Sequence, residues 1–108
     1  MDRLRIGIVD TGVNAWHSHV RGSVRGCRVF LAPGGTVRED EDFRDPVGHG
    51  TAVAGVIRAA FPDAEIFAVR VFDDGNRTYP SLVARGILRA AAEECDFVNV
   101  SVSVPPDA

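Results

Sequence analysis

Residues 48–57 read Gly-His-Gly-Thr-Ala-Val-Ala-Gly-Val-Ile. Beyond Thr51 this stretch has no polar face, which is typical of a helix buried on all sides rather than of a surface helix. Gly55 within it permits close packing against a neighbouring element. We therefore predict a buried helix that begins near His49, with the other elements arranged around it.

Short apolar runs of strand type lie on both sides of this helix. Leu4 to Asp10 predicts a strand that stops at the turn signal Thr11-Gly12, and Arg28 to Leu31 predicts a second strand. Glu65 to Val71 predicts a third strand, which ends at the strong turn signal Asp73-Asp74-Gly75-Asn76.

The remaining segments predict a polar loop, a second helix and a final strand. Pro33-Gly34-Gly35 and the acidic run from Glu39 to Asp42 indicate a solvated loop. A helix with Thr78 as its cap is predicted to end at Glu94. Phe97 to Val102 then closes the pattern as a strand.

Strands and helices alternate along the chain, which predicts an α/β fold with a mostly parallel sheet flanked by helices in three layers. In such sheets functional side chains collect at the carboxyl ends of the strands. The last residues, Pro105-Pro106-Asp107-Ala108, resemble the start of a loop that leads to another element. We therefore expect residues 1–108 to be a truncated portion of a single domain.

Composition excludes several classes of function. The chain has 108 residues, 45% of them hydrophobic, which suffices for one core. Its 12 basic residues are outnumbered by 15 acidic ones, so we expect no nucleic-acid partner. No apolar run of about 18 residues is present and the first residues resemble a strand rather than a signal peptide, so we expect no membrane partner and a cytoplasmic location.

Two residues at predicted element boundaries are candidates for chemistry. Asp10 ends a strand, an arrangement shared by phosphatases, actin-like ATPases and receiver domains, so taken alone it indicates little. His49 opens the buried helix between Gly48 and Gly50, and a histidine that only fills a core does not need a glycine on each side. His49 is therefore the stronger signal of the two.

The two motifs together, about forty positions apart, resemble the subtilase family of serine peptidases. Asp10-Thr11-Gly12 matches the family's aspartate motif, and His49-Gly50-Thr51 matches its histidine motif, with Asp45 also fitting before it. Asp96 to Ser101 is similar to a further family strand that reads Asp-Val-Ile-Asn-Met-Ser. The resemblance implies the subtilisin-like three-layer fold and covers nearly the whole chain, as the N-terminal half of the catalytic domain.

The resemblance also implies roles for individual residues. His49 is expected to be the base that takes a proton from a serine hydroxyl, and Asp10 is expected to orient its imidazole. Ser101, Val102 and Ser103 are expected to form the strand that pairs with the backbone of a peptide or protein substrate. No cofactor and no metal ligand is expected, although the family pattern leaves a structural calcium ion open.

The nucleophile that the family requires is missing from this sequence. Subtilases carry it in a later Gly-Thr-Ser-Met-Ala-x-Pro motif and place an oxyanion-hole asparagine before that motif, and neither feature occurs here. The serines present stand in other contexts: Ser18, Ser23, Ser81, Ser101 and Ser103. We therefore expect the isolated chain to be inactive, because one oxyanion donor alone contributes about 10²–10³ in rate.

Three functions follow as alternatives. The first is a serine endopeptidase that is completed by a second polypeptide, with a homo-oligomer as another possible assembly. The second is a noncatalytic peptide-binding remnant that uses the edge strand around Ser101. The third is a phosphoryl- or nucleotide-handling domain centred on Asp10, which the absence of a glycine-rich phosphate loop disfavours.

Four further residues have a structural and a functional interpretation. His17 and His19 form a His-x-His pair that resembles half of a metal site, but zinc needs three or four ligands, and a structural role is favoured. Trp16 is either a packing residue or a wall of the substrate cleft, and the packing role is favoured. Asn99 is expected to be buried and to tie its strand to a loop.

Overall fold

A five-stranded sheet forms the middle layer of the computed structural model, which describes residues 3–102. The strands are β1 (Arg5–Asp10), β2 (Val24–Leu31), β3 (Val37–Asp40), β4 (Glu65–Arg70) and β5 (Phe97–Val100), and the helices are α1 (His49–Ala60) and α2 (Pro80–Ala92). Across the sheet the order is β3-β2-β4-β1-β5. The pairs β1–β4, β1–β5 and β2–β4 are parallel, and β3 runs antiparallel to β2. The predicted mostly parallel sheet is confirmed.

The two helices cover opposite faces of this sheet. Side chains alternate between the faces along a strand, so Ile8 of β1 packs in a cluster with Ala54 of α1, while Val9 packs in a cluster with Leu82 of α2. Asp10 lies two positions beyond Ile8 and therefore projects from the α1 face. The three layers are α1, the sheet and α2, as predicted.

The predicted loop between the second strand and α1 is instead a hairpin. β2 begins at Val24, four residues earlier than expected, and Glu39 and Asp40 belong to β3. The turn is made at Gly34 and Gly35, whose positive φ angles of 91° and 84° favour glycine. Charge pairing across the hairpin explains the error, because Asp40 forms an ion pair with Arg28 of β2 and so belongs to a strand rather than to a solvated loop.

Helix α1 is not buried on all sides within the described residues. Its buried positions face the sheet and neighbouring loops, whereas Val56 on the opposite side is 72% exposed. The expectation failed because no described element packs against that outer side. The helix keeps the apolar composition of a buried element on a surface that water reaches.

The ends of α2 and β5 also differ from the expectation. The N-cap of α2 is Tyr79, because the Thr78 hydroxyl donates to the carbonyl oxygen of Val71 at 2.6 Å and not to the helix. The helix ends at Ala92, and β5 ends at Val100 rather than at Val102. Neither described helix is long and apolar enough to cross a lipid bilayer.

Arg58 holds the carboxyl-terminal end of α1 against the sheet. Its buried guanidinium donates to backbone carbonyl oxygens of Val20 (2.8 Å) and Ser23 (3.1 Å) on one side and of Ala64 on the other. A Cβ at Gly22 would lie 2.8 Å from the guanidinium carbon, so a glycine is needed beside it. Burial lowers the pKa of Arg58, and nearby Arg3 lowers it further. α1 is thereby anchored at the end opposite to His49.

Candidate active site

Asp10 and His49 meet at the carboxyl edge of the sheet. Asp10 is the last residue of β1 and projects from the α1 face, and His49 is the first residue of α1. The Nδ1 atom of His49 lies 3.0 Å from both carboxylate oxygens of Asp10. The Asp10 side chain is 1% exposed and that of His49 is 60% exposed. The expected contact is therefore present, with most of the imidazole open to an incoming group.

The environment of Asp10 determines which imidazole nitrogen faces solvent. The backbone N–H of Thr11 donates to Asp10 Oδ1 at 2.6 Å, which fixes the carboxylate from the strand side. An ionised carboxylate can only accept hydrogen bonds, so the proton of a neutral His49 belongs on Nδ1. Nε2 then carries a lone pair, as a general base for a hydroxyl requires.

Asp45 connects the segment after Asp10 to the start of α1. Its Oδ1 accepts hydrogen bonds from the Thr11 hydroxyl (2.8 Å) and from the backbone N–H groups of Val47 (3.0 Å) and Gly48 (2.8 Å). Its Oδ2 accepts from the backbone N–H and the hydroxyl of Thr51, at 2.9 and 2.7 Å. Burial of Asp45 opposes its ionisation, but these hydrogen bonds together outweigh burial and lower its pKa.

Asn14 and Gly50 complete this network. The Asn14 side chain exchanges two hydrogen bonds with the backbone of Asp45, at 2.9 and 3.1 Å, and the Gly50 N–H donates to the Thr11 hydroxyl at 3.0 Å. A Cβ at Gly50 would lie only 2.0 Å from the carbonyl oxygen of Gly12. The glycine beside His49 therefore allows the two segments to approach closely. Sequence analysis identified this glycine and Asp45 but did not identify Asn14.

The expected substrate strand lies at an edge of the sheet. The backbone N–H of Ser101 donates to the carbonyl oxygen of Val9 at 3.1 Å, which continues the β1–β5 pairing beyond the end of β5. The register brings Ser101 to the edge where β1 ends in Asp10, and Val102 follows it with an exposed side chain. Ser103 lies outside the described residues. No described strand pairs with the outer side of β5.

Two of the structural interpretations from sequence are wrong. Trp16 does not pack in the core, because it is 77% exposed. Asn99 is exposed rather than buried, and its side-chain amide donates to the Ser101 hydroxyl at 2.8 Å. Trp16 lies after β1, and Asn99 belongs to the edge strand β5. At such surface positions the neighbouring residues in the sequence do not determine whether a side chain is buried.

His17 and His19 contact each other rather than Asp10. The backbone N–H of His19 donates to His17 Nδ1 at 3.1 Å, and the ring centroids are 5.2 Å apart. Among residues 3–102 no three histidine, cysteine, aspartate or glutamate side chains are grouped to hold a metal ion. The two rings line one side of an open groove of about 770 Å³, whose other side is the outer surface of α1.

An Asp10-centred phosphoryl site is not favoured by this geometry. The carboxylate is buried, and His49 and the Thr11 backbone already occupy it. A carboxylate that receives a phosphoryl group, or that coordinates a metal ion for one, must be accessible.

Several proteins with similar sequences are named as peptidases. The model of the subtilase family matches residues 2–107. The chain is 33% identical over 110 residues to subtilisin-like protease SBT6.1 of Arabidopsis thaliana, covering 95% of this chain and 10% of the plant protein. It is 32% identical over 111 residues to a subtilisin of Bacillus sp. strain TA39, covering 94% of this chain and 26% of the subtilisin.

A solved structure confirms the expected fold. A lanthipeptide protease superposes with a TM-score of 0.73 and 24% sequence identity, covering 92% of this chain and 28% of that protein. The chain thus spans about a quarter of the length of the subtilisin and of the lanthipeptide protease that it matches. The fold, the two motifs and the match of the family model over residues 2–107 agree, and the chain belongs to the subtilase family.

Proposed function

We propose that this chain supplies the aspartate and histidine of a serine endopeptidase that cleaves peptide or protein substrates. Asp10 orients the imidazole and His49 is the general base. One observation carries the proposal: His49 Nδ1 lies 3.0 Å from the buried Asp10 carboxylate while the His49 side chain stays 60% exposed. This is the geometry of a base that is held on one side and free on the other.

The reaction requires a serine hydroxyl brought to the open side of His49. Nε2 takes the hydroxyl proton as the serine oxygen attacks the substrate carbonyl carbon, and the Asp10 carboxylate stabilises the imidazolium that forms. His49 then returns the proton to the amine that leaves, and a water molecule hydrolyses the acyl-enzyme by the same steps. Within residues 3–102 the His49 side chain is hydrogen-bonded to Asp10 and to no serine, so the nucleophile and the oxyanion donors must come from another polypeptide segment.

The outer face of α1 is where we place that segment. His49, Ala52, Val56 and Ala59 recur at spacings of three and four residues and so share one side of the helix. The three apolar residues are exposed, and they lead along the helix directly to the exposed imidazole. A serine-bearing helix or loop that covers this apolar face would also reach His49. The complementing polypeptide therefore binds through apolar packing rather than through charge.

A chimera tests the proposed function. The chain replaces the aligned segment of the subtilisin of strain TA39, which then supplies the serine and the oxyanion donor. We expect a folded chimera to be labelled at serine by a fluorophosphonate probe and to hydrolyse a peptide p-nitroanilide, whereas the isolated 108-residue chain should not be labelled. Asp10→Asn should lower kcat about 10⁴-fold, because it places the imidazole in the wrong tautomer.

Two outcomes would contradict this function. A chimera that is folded by circular dichroism but is not labelled would show that Asp10 and His49 cannot activate a serine. Labelling of the isolated chain would show that one of its own serines is the nucleophile. Asp63→Asn, at an exposed carboxylate, is the matched control and should leave both readouts unchanged.

Peptide binding without catalysis is the second candidate, and the outer edge of the sheet favours it. β5 is an edge strand, and an extended peptide can add to such an edge by main-chain hydrogen bonds. Titration calorimetry with an extended peptide measures such binding, and fluorophosphonate labelling of the chimera separates the two candidates. A remnant would bind the peptide equally well with or without His49→Ala and would not be labelled even in the chimera.

We propose the cytoplasm as the place of action. Cys27 and Cys95 are both free thiols, which is the usual state in a reducing compartment. Fractionation of the producing cell followed by immunoblotting tests this location, and recovery of the chain from the medium would overturn it.

A further inference from the structure

The buried Asp45 carboxylate accepts five hydrogen bonds, and none of them comes from Asp10 or His49. The donors are the hydroxyl of Thr11, the backbone N–H groups of Val47 and Gly48, and the backbone N–H and hydroxyl of Thr51. All five distances lie between 2.7 and 3.0 Å, and the residue is 7% exposed. No arginine is among these donors, so the negative charge is balanced by oriented dipoles alone, including those at the start of α1.

The donors are adjacent to the two residues of the pair. Thr11 directly follows Asp10, and its N–H holds the Asp10 carboxylate. Gly50 directly follows His49, and its N–H donates to the Thr11 hydroxyl, which itself donates to Asp45. The Thr11 hydroxyl thus joins the segment that carries Asp10 to the segment that carries His49, and Asp45 fixes the direction of this hydroxyl.

We propose that Asp45 is a positioning residue, which sets the separation of Asp10 and His49 through Thr11 and Thr51. This role deepens the proposed function, but it concerns the geometry of the pair and can be measured without any hydrolysis. This role requires both the negative charge and the two acceptor oxygens of the Asp45 carboxylate. An asparagine would place an NH₂ group against either the donors at Oδ1 or those at Oδ2. The threonine hydroxyls can turn to accept from it, but at least one backbone N–H, that of Thr51 or those of Val47 and Gly48, would face the NH₂ group donor to donor.

Exchange of the His49 Nδ1 proton with water measures this role in the 108-residue chain. The proton lies in the hydrogen bond to Asp10, so its exchange rate, followed by NMR on protein with ¹⁵N-labelled histidine, reports how strongly that hydrogen bond protects it from water. We expect Asp45→Asn to weaken the hydrogen bond between His49 and Asp10. The exchange should then be at least about tenfold faster, because a tenfold change corresponds to the net free energy of about one hydrogen bond. Asp63→Asn, the same substitution at an exposed carboxylate, should leave the rate unchanged.

A second pair of variants guards against loss of folding in Asp45→Asn. Thr11→Val removes the hydroxyl that joins the two segments, and Thr11→Ser restores it. We expect the exchange to be faster in Thr11→Val and to return close to the wild-type rate in Thr11→Ser. In the active chimera Asp45→Asn should lower kcat more than it raises KM, because it disturbs the reacting groups rather than substrate binding.

The proposal is overturned if Asp45→Asn folds and keeps the wild-type exchange rate, or if Thr11→Val and Thr11→Ser exchange alike. Failure of the chimera to be labelled would count against the proposed peptidase function and would leave the exchange measurements unaffected. The two ideas therefore fail independently.

Discussion

Gly50 lets α1 approach the segment after β1, and Gly50→Ala tests how much the site depends on that approach. The added Cβ would lie 2.0 Å from the carbonyl oxygen of Gly12, whereas Cβ atoms essentially never approach other heavy atoms within 3.0 Å. The two backbones must therefore separate by about 1 Å, the difference of these distances. No flexible side chain can absorb the change, because all three nearest atoms belong to the Gly12 backbone.

The expected cost of Gly50→Ala follows from this displacement. Overpacking costs about 1–3 kcal/mol, loss of the Gly50 hydrogen bond to Thr11 costs about 1 kcal/mol, and the better helix propensity of alanine returns at most about 1 kcal/mol. We expect the free energy of unfolding to fall by about 1–3 kcal/mol. Since His49 is the preceding residue, a displacement of about 1 Å should also lower kcat/KM of the chimera about 10²-fold.

Urea unfolding of the 108-residue chain and p-nitroanilide hydrolysis by the chimera measure the two effects. Gly55→Ala, in the same helix, is the control. Its Cβ would lie 3.4 Å from the nearest atom, the Cβ of His19, which is ordinary contact, so we expect stability to be unchanged or slightly increased. The reasoning is refuted if Gly50→Ala unfolds and hydrolyses like the wild type, or if Gly55→Ala is impaired equally.

Three further predictions concern stability, pH and thiol reactivity. Arg58→Met should lower the free energy of unfolding in urea by about 3 kcal/mol or more, because buried carbonyl oxygens lose a charged donor. The pKa of Asp45 is lowered from 3.8, so its stabilising contribution is complete above that pH and is lost as the pH falls through the lower folded-state value. The stability difference between wild type and Asp45→Asn should therefore be constant above about pH 5 and shrink in stronger acid. Burial raises the pKa of Cys27 to about 11, so alkylation at pH 8 should be about a hundredfold slower than that of a free thiol.

Each of these predictions has a control. Arg44→Met removes an exposed arginine whose ion pair with Asp42 is screened by solvent and should contribute little to stability, and an equal loss in both variants would show that the burial of Arg58 is not decisive. A stability difference between wild type and Asp45→Asn that grows as the pH falls would contradict the lowered pKa of Asp45 in the folded state. Rapid alkylation in Cys95→Ser, where Cys27 remains, would contradict its burial.

Most of the strands could be predicted because they depend on local patterns, whereas the contact between Asp10 and His49 was expected from the resemblance to the subtilase family. Apolar runs such as Leu4 to Asp10 and turn residues such as Gly12 determine where strands end, and parallel strands bring their carboxyl ends to one edge. The alternation of side chains along β1 then puts Asp10 on the face that α1 covers, but it does not place His49, which lies on the helix.

The hairpin and the site network could not be predicted in the same way. β3 pairs with β2 only after the chain has turned at Gly34 and Gly35, and the ion pair between Arg28 and Asp40 forms across that hairpin. The Asp45 carboxylate accepts from backbone N–H groups and hydroxyls. Because every residue except proline carries a backbone N–H, residue type does not reveal which of these groups converge on the carboxylate. The exposure of Val56 depends on whether another element covers α1, which the composition of α1 does not show.

The tautomer of His49 tests the central claim most directly. Long-range ¹H–¹⁵N NMR of the histidine ring, recorded at a pH where His49 is neutral, distinguishes a proton on Nδ1 from one on Nε2. We predict a single tautomer protonated on Nδ1, held by Asp10 at 3.0 Å, and its loss in Asp10→Ala. A ring protonated on Nε2, or a ring that averages between the tautomers as a free imidazole does, would contradict the claim that Asp10 holds His49 ready to accept a proton.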